Sequence, residues 1–345
     1  MNPQPCRYHA AAATLLASLL IYGLGLYATE SIGHYGFTLF QGLPAAGGFL
    51  SVMLASSPVR QTFLRGVALG PLPLGGGALL FLTTGFEGVV CLVMAAPVMI
   101  VFAVIGAAIA VLLAGILSFM VRWLSELGCG GGKGPKAFST VLVLLPLTLA
   151  LSVEPRILPH PPTRMVHSSV VVQGNITKVW ETVVAFPEIT SSPGGIFDYG
   201  IAYPIRASIK GTGVGAIRRC TFNTGDFLEP ITAWDAPHRL AFDVVENPLP
   251  MKEWSFWGEI DTPHLHGFMV SERGQFQLTQ QPDGTVLLEG TTWYHQNLWP
   301  NAYWGAVSDQ VIHQIHGRVL GHIKDVVEET TTGPSRAFKS VIPQP

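Results

Sequence analysis

Hydrophobic residues are laid out in two ways along this 345-residue chain. Up to about residue 153 they come in long unbroken runs. Beyond about residue 164 they alternate with polar positions. The runs at 11–29, 37–56, 66–84 and 137–153 each approach the roughly 20 apolar residues that cross a bilayer core. The 66–84 run is the weakest, broken by Pro71-Leu72-Pro73-Leu74-Gly75-Gly76-Gly77. The run 88–121 is too long for one straight span and too short for two with a turn. With Pro97 inside, it predicts a short dipping segment to Pro97 and then a span over 98–121. The total expected is five spans. Leu26-Tyr27-Ala28 offers no small-x-small cleavage site after the first run, so that run is expected to stay as a helix.

In the second half, the β-branched run at 166–172 predicts a strand. Residues 175–185 predict a helix with Val179, Trp180, Val183 and Val184 on one side, ended by Pro187. Six strands are then expected, at 197–210, 213–222, 226–235, 239–247, 268–280 and 285–295. Asn223-Thr224-Gly225 and Pro282-Asp283-Gly284 supply hairpin turns. A final helix is expected over 300–329, with Trp304, Ser308, Val311, Ile315, Val319 and Ile323 as its apolar stripe and Asp309, His313 and Lys324 facing away. This order predicts an α+β domain in which one long helix covers a curved antiparallel sheet. The Pro-rich stretch 154–164 reads as a semi-rigid linker, placing the transmembrane domain at 1–153, the folded domain at 165–330 and a disordered tail at 331–345.

Composition sharpens this picture. Mean hydropathy is +0.39 and only 12% of residues are charged, against about 25% for soluble domains. A net charge of −2 provides no basic footprint for nucleic acid. Four scattered cysteines (Cys6, Cys91, Cys129, Cys220) suggest neither a disulfide framework nor a cysteine zinc site. Arg7, Arg60, Arg65, Arg122, Lys133 and Lys136 fall in alternate loops. That places the N-terminus in the cytoplasm and, after five spans, the C-terminal domain on the outer side of a bacterial inner membrane. Glu87, set in apolar sequence, reads either as an intramembrane acid or as an interfacial loop residue.

Two segments carry a family resemblance. Gly174-Asn175-Ile176-Thr177-Lys178-Val179-Trp180 resembles the opening A-P-x-x-x-V-W segment of the START, polyketide cyclase and pollen-allergen superfamily (SRPBCC), with Asn175 where proline is usual. Residues 233–244, AWDAPHRLAFDV, resemble its x-D-x-P-x-R-L-x-F strand-turn-strand. The resemblance covers about 165–329. It implies a helix-grip fold with a hydrophobic cavity between sheet and last helix. Members bind lipids, sterols or aromatic polyketides, and some catalyse cyclisation or dehydration.

Strand alternation selects the cavity candidates. A three-residue hairpin loop pairs Gln281 with Thr285, so Leu278 meets Leu288, Phe276 meets Gly290, Glu272 meets Tyr294, and Arg273 stacks on an outward Trp293. Arg218, Glu229, Phe242, Glu246, Glu272, Phe276 and Tyr294 then fall on inner faces, with Trp304 descending from the helix. The charged members read either as an ion-pair network, Arg218 to Glu229 diagonally, or as a polar patch that orients a ligand head group. The long connection 248–267, with Trp254, Phe256 and Trp257, reads as a lid or membrane-facing loop. His264-x-His266 and the Asp309/His313 pair have ligand-like spacing, but neither completes a zinc signature, so no metal or cofactor is expected. Asn175-Ile176-Thr177 matches a glycosylation acceptor pattern.

The expected function is membrane-anchored binding, transport or sensing of a hydrophobic small molecule or lipid. Its ligand contacts would be Arg218, Glu229, Phe242, Trp254, Trp257, Glu272, Phe276, Tyr294 and Trp304. The alternatives are a cyclase or dehydratase-like enzyme using Glu229, Glu272 and Tyr294, and a structural subunit with a protein partner.

Overall fold

The computed structural model describes residues 4–55, 63–126 and 136–332. The chain divides into two compact units. The first comprises Met1–His160 with two later segments, Glu253–His264 and Leu298–Tyr303. The second comprises Pro161–Lys252, Leu265–Asn297 and Trp304–Pro345. Of the expected tail, residues 333–345 lie outside the described residues.

The first unit is helical. Helix α1 (Gln4–Leu26) runs into a π-helical turn, Tyr27–Ile32, closed by Gly33 at φ 68°. A second π-turn, Thr38–Gly42, leads into α2 (Leu43–Leu54). Then come α3 (Phe63–Leu69), α4 (Leu72–Thr84), α5 (Val89–Glu126) and α6 (Lys136–Ile157). Among the described residues, three stretches are long and apolar enough to cross a membrane: Ala10–Ile32, Phe63–Thr84 and Val89–Met120. This corrects the expectation of five. The helix expected over 37–56 is shorter, Thr38–Leu54. The one expected over 137–153 lies in α6, which starts in residues whose side chains are outside the description. The dipping segment is absent too: α5 runs straight through Pro97. Pro71 and Pro73 start α4 rather than break it, because proline fits a helix's first turn, where the N–H has no intrahelical partner anyway. Helix α6 also continues four residues into the expected linker, to Ile157.

Several helix ends meet at one end of this unit. Glu154, near the end of α6, accepts hydrogen bonds from the N–H groups of Phe37 (2.5 Å) and Thr38 (3.0 Å). Tyr35, just past α1, donates to Glu87, between α4 and α5. The ends of α1 and α6 therefore lie together, and the chain leaves α6 at the end opposite its start in α1. Helices α2 and α5 touch backbone to backbone. A Cβ on Gly48 would lie 2.1 Å from the Ala103 carbonyl oxygen, and one on Gly106 1.9 Å from that of Ala45. Such reciprocal small-residue contact is how helices associate in lipid, where no hydrophobic drive exists between them.

The second unit is a seven-stranded antiparallel sheet gripping a long helix. Its strands are β1 (Arg164–Val172), β2 (Pro204–Lys210), β3 (Ile217–Phe222), β4 (Gly225–Asp235), β5 (Arg239–Asp243), β8 (Met269–Gln280) and β9 (Val286–Gln296), in the order β1-β9-β8-β5-β4-β3-β2. The short strands β6 (Glu253–Ser255) and β7 (Gly258–Ile260) form a separate hairpin belonging to the first unit. Helix α7 (Ile176–Val184) is capped by Asn175, whose side chain accepts from Thr177 N–H at 2.8 Å, so the glycosylation-like triplet serves as a helix start. Helix α8 (Asn301–Thr332) buries Val319, Leu320, Ile323 and Val327 against Val172, Leu240, Leu278 and Leu288 of the sheet. This is the helix-grip arrangement. Two expected strands start late. Residues 195–199 form a 3-10 turn before β2, and β3 begins at Ile217, after a turn rich in left-handed glycines. On α8, Ile312, Leu320 and Val327 join the buried stripe, whereas Val311 and Ile315 are only half-buried.

Candidate ligand-binding cavity

The second unit encloses a cavity of about 140 Å³ between the sheet and α8. Phe186, Phe222, Phe227, Phe242 and Phe276 line it, with Ile315, Val319 and Leu320 from the helix. Gly274 and Gly290 on β8 and β9 make the room. A Cβ on Gly274 would sit 2.5 Å from the Phe242 ring, whereas one on Gly290 would reach Leu320 at an ordinary 3.6 Å.

One charged pair stands in this apolar wall. Arg218 and Glu229 are opposite each other in the β3–β4 register, because the hairpin turn pairs Phe222 with Gly225. The expected diagonal contact is thus a direct one. The Arg218 Nη1 group donates to Glu229 Oε2, Nε to the Val184 carbonyl at 3.2 Å, and Nη2 to that of Val183 at 3.5 Å. Those carbonyls end α7, where the helix dipole favours a cation. The guanidinium also lies 5.5–5.8 Å from the ring centres of Phe186, Phe242 and Phe276, within cation–π range. Arg218 is 1% exposed and Glu229 5%. Burial pushes the Glu229 carboxyl above its ordinary range, while Arg218 pulls the other way. The Cys220 thiol beside them is pushed up to about 12, chiefly by burial.

Near the other end His316 lines the cavity. Its Nε2 is 2.8 Å from Thr292 Oγ1 and its Nδ1 3.1 Å from Ser168 Oγ. Burial, with His313 and His167 nearby, lowers its pKa to about 4, so the ring is neutral at pH 7. Helical spacing alone places His316 at the edge of the α8 stripe and does not reveal this role. The signal is that Thr292 and Ser168 supply hydroxyls on the two strands beneath it.

Of the residues expected to contact a ligand, Arg218, Glu229, Phe242 and Phe276 line this cavity; Glu272, Tyr294, Trp304, Trp254 and Trp257 do not. Glu272 is turned outward by a β-bulge between Ser271 and Arg273, so Ser271 rather than Glu272 pairs with Tyr294. Its carboxylate instead meets His295 Nδ1 at 2.7 Å and the Thr163 hydroxyl at 3.2 Å. The rest of that register runs as expected: Leu278 with Leu288, Phe276 with Gly290, and Arg273 4.6 Å above the Trp293 ring. Tyr294 is fully buried but off the cavity. It donates to Asp309 Oδ1 at 2.7 Å and to the Gly305 carbonyl. Asp309 is held in turn by Arg164, so it is a structural ion-pair partner and not half of a metal pair with His313. Arg164 and Tyr294 hold the Asp309 carboxyl below its ordinary range despite its partial burial. Trp304 is buried away from the cavity. Trp254 and Trp257 sit on the β6–β7 hairpin of the first unit, where Trp257 Nε1 donates to the Thr83 carbonyl at 2.7 Å. Glu246 pairs only by an isolated bridge to Leu228 at the strand end.

No family model matches the chain, and no curated protein does. Solved structures similar to it include truncated norcoclaurine synthase from Thalictrum flavum (14% identity, TM-score 0.32), covering 50% of this chain and 98% of that one. The XoxI protein of Bacillus cereus is similar at 11% identity and TM-score 0.32, over 48% of this chain and 97% of that one. The Aha1 dimer of Colwellia psychrerythraea is similar at 14% identity and TM-score 0.29, over 48% and 96%.

Proposed function

We propose that the second unit binds a small apolar or aromatic molecule and that the first anchors it in a membrane, as a carrier or sensor. The observation that carries this reading is a phenylalanine-walled cavity in which the buried charge, Arg218, is already paired. Paired in this way, Arg218 presents ring-stacking surface and little free charge to a guest. Size narrows the guest. The cavity's roughly 140 Å³ is close to an engineered apolar cavity of about 150 Å³ that binds benzene, and well below the roughly 300–1,000 Å³ of drug-sized sites. A single-ring compound fits; a long-chain lipid exceeds that volume. Organic extraction of the full chain, purified in mild detergent, followed by mass spectrometry tests this. A defined apolar compound in stoichiometric yield supports the reading, and its absence, with no uptake of added benzene, refutes it.

The enzyme alternative keeps one carboxylate, Glu229, at the cavity; Glu272 and Tyr294 stand elsewhere. Its test is Glu229→Gln, which must spare binding and abolish turnover of the extracted compound.

The N-terminal arginine and the direction of α1 and α6 support a cytoplasmic N-terminus with residues after 160 on the outer side of a bacterial inner membrane. Trp254 and Trp257 are amphipathic rings of the kind that sit at headgroup level.

A further inference from the structure

The first unit carries a second cluster with its own chemistry. Glu87 lies just before α5, Cys91 in its first turn, and His264 in the turn Pro263–Leu265 that follows the β6–β7 hairpin. All three are buried, and one donor atom from each lies within 4.8 Å of the others. We propose that Glu87, Cys91 and His264 form a binding site for a divalent transition metal of the zinc class.

Three observations point to a cation at the centre. First, the Glu87 oxygens are unequal. Oε1 accepts from Tyr35 Oη at 2.9 Å, whereas Oε2 is buried without a hydrogen bond and faces His264 Nδ1 at 3.3 Å. A buried carboxylate oxygen without a hydrogen bond is costly, and a metal between it and the imidazole satisfies both lone pairs. Second, the surrounding groups are those that orient metal ligands. Glu253, fully buried, accepts from the N–H groups of Val90 (3.1 Å) and Cys91 (2.7 Å) and lies 3.7 Å from His264 Nε2. A carboxylate behind the second ring nitrogen leaves the first free to ligate. Thr262 Oγ1 lies 3.1 Å from Nδ1, a contact that a metal on Nδ1 would displace. Third, the donor set is selective. One thiolate, one imidazole and one carboxylate suit zinc, cobalt or a similar ion and not magnesium or calcium, which take oxygen ligands. Cys91 gives up its proton to solvent on binding. A water completes the fourth position. Such a metal ties the hairpin to the start of α5, two segments about 160 residues apart in sequence.

The test uses the full chain in mild detergent, without a polyhistidine tag. Elemental analysis should find about one zinc per chain. After chelation, titration with cobalt(II) should give the near-ultraviolet band of a cobalt thiolate. Cys91→Ser should abolish that band and His264→Ala the tight binding, and Glu253→Gln should weaken cobalt affinity about 10- to 100-fold. Wild-type protein that holds no metal and gives no band in excess cobalt overturns the proposal without relying on a variant. A band that survives Cys91→Ser overturns it as well; the cluster is then a hydrogen-bonded latch.

Discussion

Removing Arg218 alone strands Glu229 in an apolar wall. Breaking a buried pair from one side costs about 3–5 kcal/mol, whereas replacing both partners by apolar residues of similar size is near neutral. Arg218→Met should therefore lower the unfolding temperature sharply, and Arg218→Met with Glu229→Leu should recover most of it, in thermal unfolding followed by circular dichroism. His316 sets a pH dependence. Its folded pKa, about 4, lies below the ordinary 6.5. The unfolded state therefore takes up a proton first, and stability complete above pH 6.5 is lost as pH falls through 6.5 toward 4. The groups facing it are Thr292 on β9, Ser168 on β1, and His313 and His167. The expected outcome is an unfolding temperature that drops between pH 7 and 5, with a shallower drop in His316→Gln. At this scale Arg218, Glu229, Phe242 and Phe276 were legible from alternation alone. Glu272 was not, because a one-residue bulge shifts the pairing of every residue on the side of it away from the hairpin turn and leaves no mark in the hydrophobic pattern.

Two glycines on neighbouring strands separate packing from backbone effects. Gly274→Ala forces a methyl into the Phe242 ring and should destabilise by about 1–3 kcal/mol. Gly290→Ala meets only ordinary contacts and should be neutral or stabilising. Thermal unfolding of the two side by side distinguishes the outcomes; equal loss from both would mean the floor is not packed as described. In the first unit, Gly106→Leu drives a side chain into the Ala45 backbone and should separate α2 from α5, seen as lost folding yield in detergent. Elements in the second unit were largely legible because alternation, turn chemistry and the α8 stripe agree. Those of the first were less so. Apolar runs give length but not ends, and both π-turns and the passage of α5 through Pro97 depend on packing that hydropathy does not encode. The connection 248–267 reads as a lid or membrane-facing loop because it is long and holds Trp254, Phe256 and Trp257. What assigns its β6–β7 hairpin to the first unit is the buried Glu253, a residue type that sequence alone places on surfaces.

For the whole molecule, helix direction makes a prediction about sidedness. Val214 is 68% exposed in the second unit. Val214→Cys should react with a membrane-impermeant maleimide from the outer face of intact spheroplasts. Reaction only after permeabilisation would reverse the orientation and the positive-inside reading with it.

The most direct measurement is native mass spectrometry of the full chain, released from detergent, beside Gly290→Leu. The Leu side chain projects from the cavity wall toward Leu320 and fills the space a guest would take. The account predicts that the wild type carries a discrete small-molecule mass, or gains one on incubation with a single-ring aromatic compound, and that Gly290→Leu stays folded and empty. Equal occupancy of both proteins, or an empty wild type that takes up nothing, would contradict it.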